Sequence, residues 1–374
     1  MQLRYSIFGE SHGPAIGVVI ENLPSGIPVD IEFINSELDR RRAKKGGLST
    51  PRLESDLPEI VSGVFEGFTT GTPLCAIIRN GNTRSGDYSR TKDLARPSHA
   101  DYTGRIRYGG FNDYRGGGHF SGRLTAPMVF AGAVAKLWLK EKGVFVGGHI
   151  LRVGEAEDLP FDPVHIAPAD FQKIASRTLP TISEEAGKAM EAIIQQARME
   201  QTSVGGIVQC AVTGLPAGIG SPDESLEGII AKNIFSVPAV KGLEFGLGFG
   251  FGSAYGHEVN DPMRMENGRV VSSSNNNGGI LGGISSGMPL IFQAAIKPTP
   301  SISRPQDTIN METMENASIE IQGRHDPCIL SRATVVIEAA AALSVMEAML
   351  DRMTDSMTDS VTDSMTDSVT DGRS

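Results

Sequence analysis

RPSHADYTGRIRYGGFNDYRGGGHFSGR, residues 96–123, holds five arginines, two histidines and seven glycines, and it runs straight into the apolar SGRLTAPMVFAGAVAKLWLKEKG of residues 121–143. The first part cannot make a core. Its glycines let backbone amides approach a ligand and take positive φ, and its guanidinium groups are bidentate donors matched to phosphate or carboxylate oxygens. His99 and His119 add imidazoles, so an anion site here could also move protons. Standing alone, such a Gly-Arg run would read equally well as a flexible nucleic-acid-binding segment. The second part decides between them: an alanine-rich run closed by lysines and Gly143 predicts a buried helix with an ordinary C-terminal stop, and Pro127 places its start near Thr125. A loop feeding a packed helix is an anion site, and the helix N-terminus adds partial positive charge to it.

With 374 residues, 40% hydrophobic and 21% charged, the chain has material for a large core. The net charge is −10; residues 351–374, with six Asp against two Arg, contribute −4 and leave −6 for the rest. An acidic protein with local arginine clusters points to small anionic ligands more than to nucleic acid. Cys75, Cys210 and Cys328 are too few and too scattered for a disulfide framework or a zinc site, and no metal is expected. The start, MQLRYSIFGESHG, lacks a basic segment followed by an apolar one, and no segment reads as the ~18 apolar residues of a membrane span. The sequence therefore predicts a cytoplasmic protein with no membrane partner.

Strands are predicted at 15–23, 59–67, 73–80, 144–153, 205–215 and 289–302, and helices at 31–42 with Asp30 as cap, at 183–200, near 223–234 and at 328–352. Residues 256–287 form a polar, glycine-rich excursion of the kind that is functional or disordered. Strands and helices mix without a regular βαβ alternation, which predicts an α+β fold rich in antiparallel sheet. The closing MTDSMTDSVTDSMTDSVTDGRS repeats a four-residue unit near the helical period but is filled with weak helix formers, and disorder is expected.

Neither a G-x-G-x-x-G after a strand nor a G-x-x-x-x-G-K-[ST] occurs. What remains is a set of short polar loops, far apart in sequence, at 8–13, 96–101, 115–123, 278–286, 297–301 and 324–328. Their convergence would join two histidines, one aspartate and many arginines in a site that transfers protons beside a phosphorylated ligand. Through FGESHG, RPSHADYT, DYRGGG, SGRLTA, GGILGGIS, KPTPSI and GRHDPC the chain resembles chorismate synthase from about residue 5 to about residue 350.

That resemblance implies a single large α+β domain over residues 1–352, a β-α-β sandwich with antiparallel sheets packed on a helical layer, followed by a low-complexity tail at 353–374. It implies a lyase that eliminates phosphate from 5-enolpyruvylshikimate 3-phosphate to give chorismate, the last step of the shikimate pathway to aromatic amino acids. The cofactor would be reduced FMN, NADPH a candidate reductant, and the assembly a homotetramer. His12 would protonate the leaving phosphate or keep it monoanionic, His99 would protonate the flavin near N1, and Asp326 with flavin N5 would remove the C6 proton. Arg41, Arg123 and Arg332 would bind the substrate's phosphate and carboxylates.

For FMN the resemblance points to His119, Phe120, Ser121, Ala239, Gly282, Lys297, Pro298, Thr299, Pro300, Ser301 and Arg324. Many relatives carry Arg-Ser-Ser where this chain has His119-Phe120-Ser121, which exchanges a permanent charge for an aromatic face. Gly47 stands where relatives often have a basic residue, with Lys44 or Lys45 to compensate. From local sequence alone Asp326, before Pro327, reads as a turn or capping residue. His149 and His165 read as ordinary strand or loop residues, and His325 is left out of the catalytic set. Two competing readings stand: an oxidoreductase using the flavin for net electron transfer, and a phosphate- or RNA-binding protein retained on RNA at physiological salt.

Overall fold

The computed structural model describes residues 2–43, 55–81, 92–321 and 326–370, with the side chains of its last helix described to Thr354. The chain opens with the antiparallel pair β1 (Arg4–Gly9) and β2 (Ala15–Glu21) and continues into helix α1 (Ile31–Arg41), whose N-cap Asp30 accepts from Phe33 N as the sequence predicts. β3 (Pro58–Ser62), the small hairpin β4 (Val64–Phe65) and β5 (Phe68–Thr69), and β6 (Leu74–Arg79) follow. Helix α2 (Asp101–Arg107) and helix α3 (Thr125–Glu141) bracket the glycine-rich bend, and α3 begins where Pro127 placed it.

Next come β7 (Phe145–Val153), β8 (Ala156–Glu157), α4 (Pro168–Ala175), α5 (Glu184–Met199), β9 (Gly206–Thr213), α6 (Leu226–Ser236) and β10 (Val240–Phe245). The polar excursion folds as helix α7 (Gly256–Val259) and two hairpins, β11 (Met263–Glu266) with β12 (Arg269–Ser272) and β13 (Ile280–Leu281) with β14 (Ile284–Ser285). The carboxylate of Asp261 organises it by accepting from Ser274 Oγ and from the backbone amides of Asn276 and Asn277. β15 (Leu290–Ile296), the hairpin β16 (Gln306–Asn310) and β17 (Glu315–Ile319), and helix α8 (Leu330–Thr370) complete the chain.

The two main sheets run β1-β2-β6-β3 and β10-β15-β9-β7-β8, antiparallel throughout. Between them lies a layer of helices: α3 rests on β2 and β6, α8 rests on β7 and β9, and α3 packs along α8. This is the α+β sandwich expected from the sequence. β6 alternates buried and half-buried residues because one face meets the core, whereas β7 is buried over six consecutive residues because α8 covers one face and α4 the other. Phe130 of α3 and Phe292 of β15 are fully buried, each contributing about 1.5–3 kcal/mol of hydrophobic stabilisation. The helices approach closely at Gly132, where a Cβ would overlap Ala339.

Two expectations are corrected. Leu330–Thr354 is long and apolar enough to cross a membrane by length and composition, although the sequence reading found no such segment; 83% of its most apolar window is buried inside the protein, so it serves here as a core helix. α8 runs on into the Thr-Asp-Ser repeat as far as Thr370. A period of four suits a helix, and a segment that extends an existing helix avoids the cost of nucleation. His149 is more than an ordinary strand residue, since it is fully buried with Nδ1 3.2 Å from Asp158 and Nε2 3.0 Å from Gln209.

Four charged side chains close on one another within the helical layer. Arg40 grips Glu338 with two hydrogen bonds of 2.7 and 2.6 Å and Glu37 with one of 2.8 Å, while Lys136 donates to Glu37 at 2.5 Å and to Glu338 at 2.6 Å. Burial opposes ionisation of Glu37, but Lys136 and Arg40 bring its carboxyl down from 4.5 to about 2. A carboxyl depressed on folding stabilises fully above its unfolded value and loses that contribution as pH falls through the folded one, here between 4.5 and about 2. Acid unfolding followed by circular dichroism should show a stability loss in that window that Glu37→Gln flattens. Glu338→Gln, which leaves two buried cations short of a partner, should cost about 3 kcal/mol in urea unfolding.

Candidate active site

Four of the loops singled out in the sequence, 8–13, 96–101, 115–123 and 297–301, meet Asp326 in a closed circuit of contacts at one end of the helical layer. Arg41, last residue of α1, and Arg123, in the turn before α3, are both buried and both bind the carboxylate of Asp56, Arg41 through Nη1 at 2.7 Å. Arg41 Nε also donates to Thr125 Oγ1 at 3.0 Å. Arg123 Nε donates to Asn80 Oδ1 at 3.1 Å, and the Asn80 amide donates to the carbonyls of Glu10 and Gly13, which pins the loop that carries His12. In the other direction Arg332, in the first turn of α8, donates from Nε to the Arg41 carbonyl at 3.0 Å and from Nη1 to Asp326 Oδ2 at 2.7 Å.

From Asp326 the circuit passes through its carbonyl to Thr299 Oγ1 at 2.9 Å and along the strand end to Lys297, whose Nζ donates to the Ser98 carbonyl at 2.5 Å. His99 follows Ser98. Its ring lies against Gly117, where a Cβ would stand 3.2 Å from both Cε1 and Nε2. The neighbouring Gly116, at φ +60, lies so close to His12 that a Cβ would fall on the imidazole. Ser11 N donates to the Gly118 carbonyl at 3.1 Å and closes the ring. Positive φ at Gly116, Gly117 and Gly118 in succession is what lets the chain bend between the two histidines.

Charge within the circuit is unbalanced. Burial opposes ionisation of Asp56, but Arg41 and Arg123 overcome it and hold its carboxyl below the usual carboxylate range. Burial, with Arg332 and Arg123 as like charges, pulls the Arg41 guanidinium down to about 9 against the attraction of Asp56. It stays cationic at neutral pH, in a place that an added anion would relieve. Arg123 Nη2 is buried and makes no hydrogen bond among the described residues. Burial and the nearby Lys241 likewise lower the Lys297 ammonium.

On the histidine side, His99 Nδ1 lies 2.7 Å from Asp101 Oδ1, and Arg96 clasps the same carboxylate with Nε and Nη2, each at 2.7 Å. Burial opposes ionisation of Asp101, but hydrogen bonds from Arg96 and His99 hold it well below the usual range.

The structure thus brings together His12, His99, Asp326, Arg41, Arg123, Arg332, Lys297 and Thr299 from the sequence prediction. Ser121 caps the turn that holds Arg123, His119 Nδ1 sits 2.9 Å from the Gly9 carbonyl, and the Ala239 carbonyl accepts from Lys297 N. Phe120 lays its ring on Gly104 and near Tyr108, so its aromatic face is taken up by α2. Pro298 packs on Gly205, and the Pro300 carbonyl accepts from Gln306, next to Ser301. In the hairpin bearing Gly282, the neighbouring Gly283 lies against Ser221 and Ser225, while a Cβ on Gly282 would meet open space. Arg324, His325, Lys44, Lys45 and Gly47 lie outside the described residues. Sequence reasoning missed Asp56 and Asn80, which no motif surrounds, and passed over Arg96 and Asp101, although both stand inside RPSHAD.

An α+β sandwich whose loops gather three guanidinium groups around two carboxylates, in one circuit of contacts with two histidines, is built as an enzyme for a small molecule. The chorismate synthase family model matches residues 3–350, and the chain belongs to that family; its members are lyases of the shikimate pathway. It is 47% identical to a chorismate synthase of Dehalococcoides mccartyi over 345 residues, covering 92% of this chain and 93% of that one. It is 44% identical to that of Thermococcus kodakarensis over 349 residues, covering 93% and 96%. A solved structure titled as a crystal structure of chorismate synthase superposes with a TM-score of 0.74 at 29% identity, covering 94% of this chain and 93% of that one.

Gly116→Ala should displace His12 while leaving the sheets and helical layer in place. The expected result is a fall in turnover of about 100-fold, as for a side chain of the site moved by an ångström, with far-ultraviolet circular dichroism unchanged; full activity would show that the bend does not set the position of His12.

Proposed function

We propose that this site eliminates phosphate from 5-enolpyruvylshikimate 3-phosphate to form chorismate, with reduced FMN as cofactor. The observation that carries the reading is Arg123 Nη2, buried and without a hydrogen bond among the described residues, in a cluster where Arg41 and Arg332 add further positive charge. A polar hydrogen left in this way costs about 1–3 kcal/mol, which a phosphate or carboxylate oxygen would recover. A substrate bearing one phosphate and two carboxylates matches three guanidinium groups in number and chemistry.

The residues present also suit FMN. Gly117 puts no side chain against the His99 ring edge, which suits the approach of a planar ring system. Lys297 and Lys241, with the Pro298-Thr299-Pro300-Ser301 segment, suit a phosphate, and His119 to Ser121, Ala239, Gly282 and Arg324 complete the proposed set. When bound, the cofactor supplies transient electron density that lets an unactivated C–H bond and a phosphate ester part without net redox change.

Arg41, Arg123 and Arg332 hold and orient the anionic groups. His12, fixed between the Asn80-anchored loop and Gly116, gives a proton to the departing phosphate or keeps it monoanionic. Asp326, steadied by Arg332 through one oxygen, takes the C6 proton. His99 carries a proton on the cofactor side. A cytoplasmic homotetramer, with NADPH as candidate reductant and neither nucleic acid nor membrane as partner, completes the proposal.

Purified protein given substrate and reduced FMN without oxygen should release phosphate while consuming no reductant per product. Binding of both ligands without product would overturn the reading, and stoichiometric loss of reductant would replace it with net electron transfer. His12→Ala and Asp326→Ala should lower kcat by about 10²–10⁴-fold and leave substrate Kd nearly unchanged.

A further inference from the structure

We propose that Asp101 is the positioning residue for His99: it fixes the imidazole tautomer, so that Nδ1 keeps its hydrogen and Nε2 is the nitrogen that exchanges a proton with a ligand. The inference rests on the reading that His99 carries a proton in the reaction.

Four donors converge on the two oxygens of Asp101. Oδ1 receives Arg96 Nη2 and His99 Nδ1, both at 2.7 Å, and Oδ2 receives Arg96 Nε at 2.7 Å and Arg96 N at 3.0 Å. A carboxylate engaged in this way has no proton to offer, so the 2.7 Å contact with His99 requires the hydrogen to be on Nδ1; two lone pairs would repel at that distance. Arg96 Nη2 also lies 3.1 Å from His99 Nδ1, but this longer contact follows from the two donors sharing one oxygen, and a guanidinium cannot accept.

Local backbone makes the arrangement stiff. Ser98 turns the chain with φ +60, a single alanine separates His99 from Asp101, and Asp101 opens α2. At the other edge of the ring Gly117 puts no side chain against Nε2, where a Cβ would stand 3.2 Å from it. One nitrogen is therefore committed to the protein and the other is presented to the site, the division of labour by which a carboxylate orients a proton-transferring histidine.

Asp101→Asn keeps the shape and replaces one oxygen with an amide nitrogen. Arg96 N and Nε hold the remaining oxygen on their side, which turns the amide nitrogen toward Nδ1 and forces the hydrogen to Nε2. The tautomer is read on the full-length protein without ligands from long-range proton–nitrogen correlations of nitrogen-15-labelled histidine, with His99→Asn identifying the signal. The expected pattern is Nδ1–H in the native protein, Nε2–H in Asp101→Asn and Nδ1–H again in Asp101→Glu, with kcat of Asp101→Asn down by about 100-fold and substrate Kd little changed.

Arg96→Gln serves as the control for loop anchoring, and it should lower the melting temperature yet keep Nδ1–H. Nε2–H in the native protein, Nδ1–H in Asp101→Asn, or a kcat loss in Arg96→Gln equal to that of Asp101→Asn would each overturn the proposal. A flipped tautomer with unchanged kcat would support the hold of Asp101 on His99 and overturn instead the proton-carrying role of His99.

Discussion

Arg41 and Arg123 reach the same buried carboxylate from different parts of the chain, one from the end of α1 and one from the turn before α3. Desolvating three ionic groups is expensive, and the attraction of two guanidinium groups for one Asp56 offsets it only where geometry is tight and the remaining donors find partners. Thr125 and Asn80 supply two of those partners, and Asn80 in turn ties down the loop bearing His12. The position of a histidine thus depends on how a pair of arginines is neutralised. One Arg123 nitrogen makes no hydrogen bond among the described residues, and it is this nitrogen that the proposed function gives to a ligand.

Adjacent residues of α1 divide the work of support and function. Arg40 turns into the closed group of Glu37, Lys136 and Glu338, where two positive and two negative charges cancel, while Arg41 turns into the unbalanced cluster. The balanced group ties α1 to α3 and α8 with charge-assisted hydrogen bonds, so that Arg41 is presented by a helix that cannot slide. The two-sheet sandwich does the same on a larger scale, since α3 and α8 are clamped between sheets and carry Thr125 and Arg332 at their first turns.

Where local pattern decides structure, the sequence was readable. Asp30 before an apolar-periodic run announced α1, the alanine-rich run announced α3, and Pro127 fixed its start. Helix α2 escaped notice because Asp-Tyr-Thr-Gly-Arg-Ile-Arg has a glycine in its middle and no apolar stripe; it exists because Phe120 packs on that glycine, a contact between residues 16 positions apart. The catalytic assignments of His12, His99 and Asp326 came through resemblance, and Asp326 taken by itself looked like a turn residue. Asp56 and Asn80 carried no sign at all, because their importance comes from partners 15 to 70 residues away in sequence.

The contact circuit also bears on the order in which the protein matures. Its links join residues near 10, 56, 80, 99, 117, 123, 298 and 326–332, so no fragment emerging from the ribosome contains it until α8 has been made. Closing such long loops is entropically costly and comes late, after the sheets and helices have their local contacts. A nascent chain therefore offers a small-molecule substrate only scattered arginines, and its capture becomes a property of the finished molecule alone.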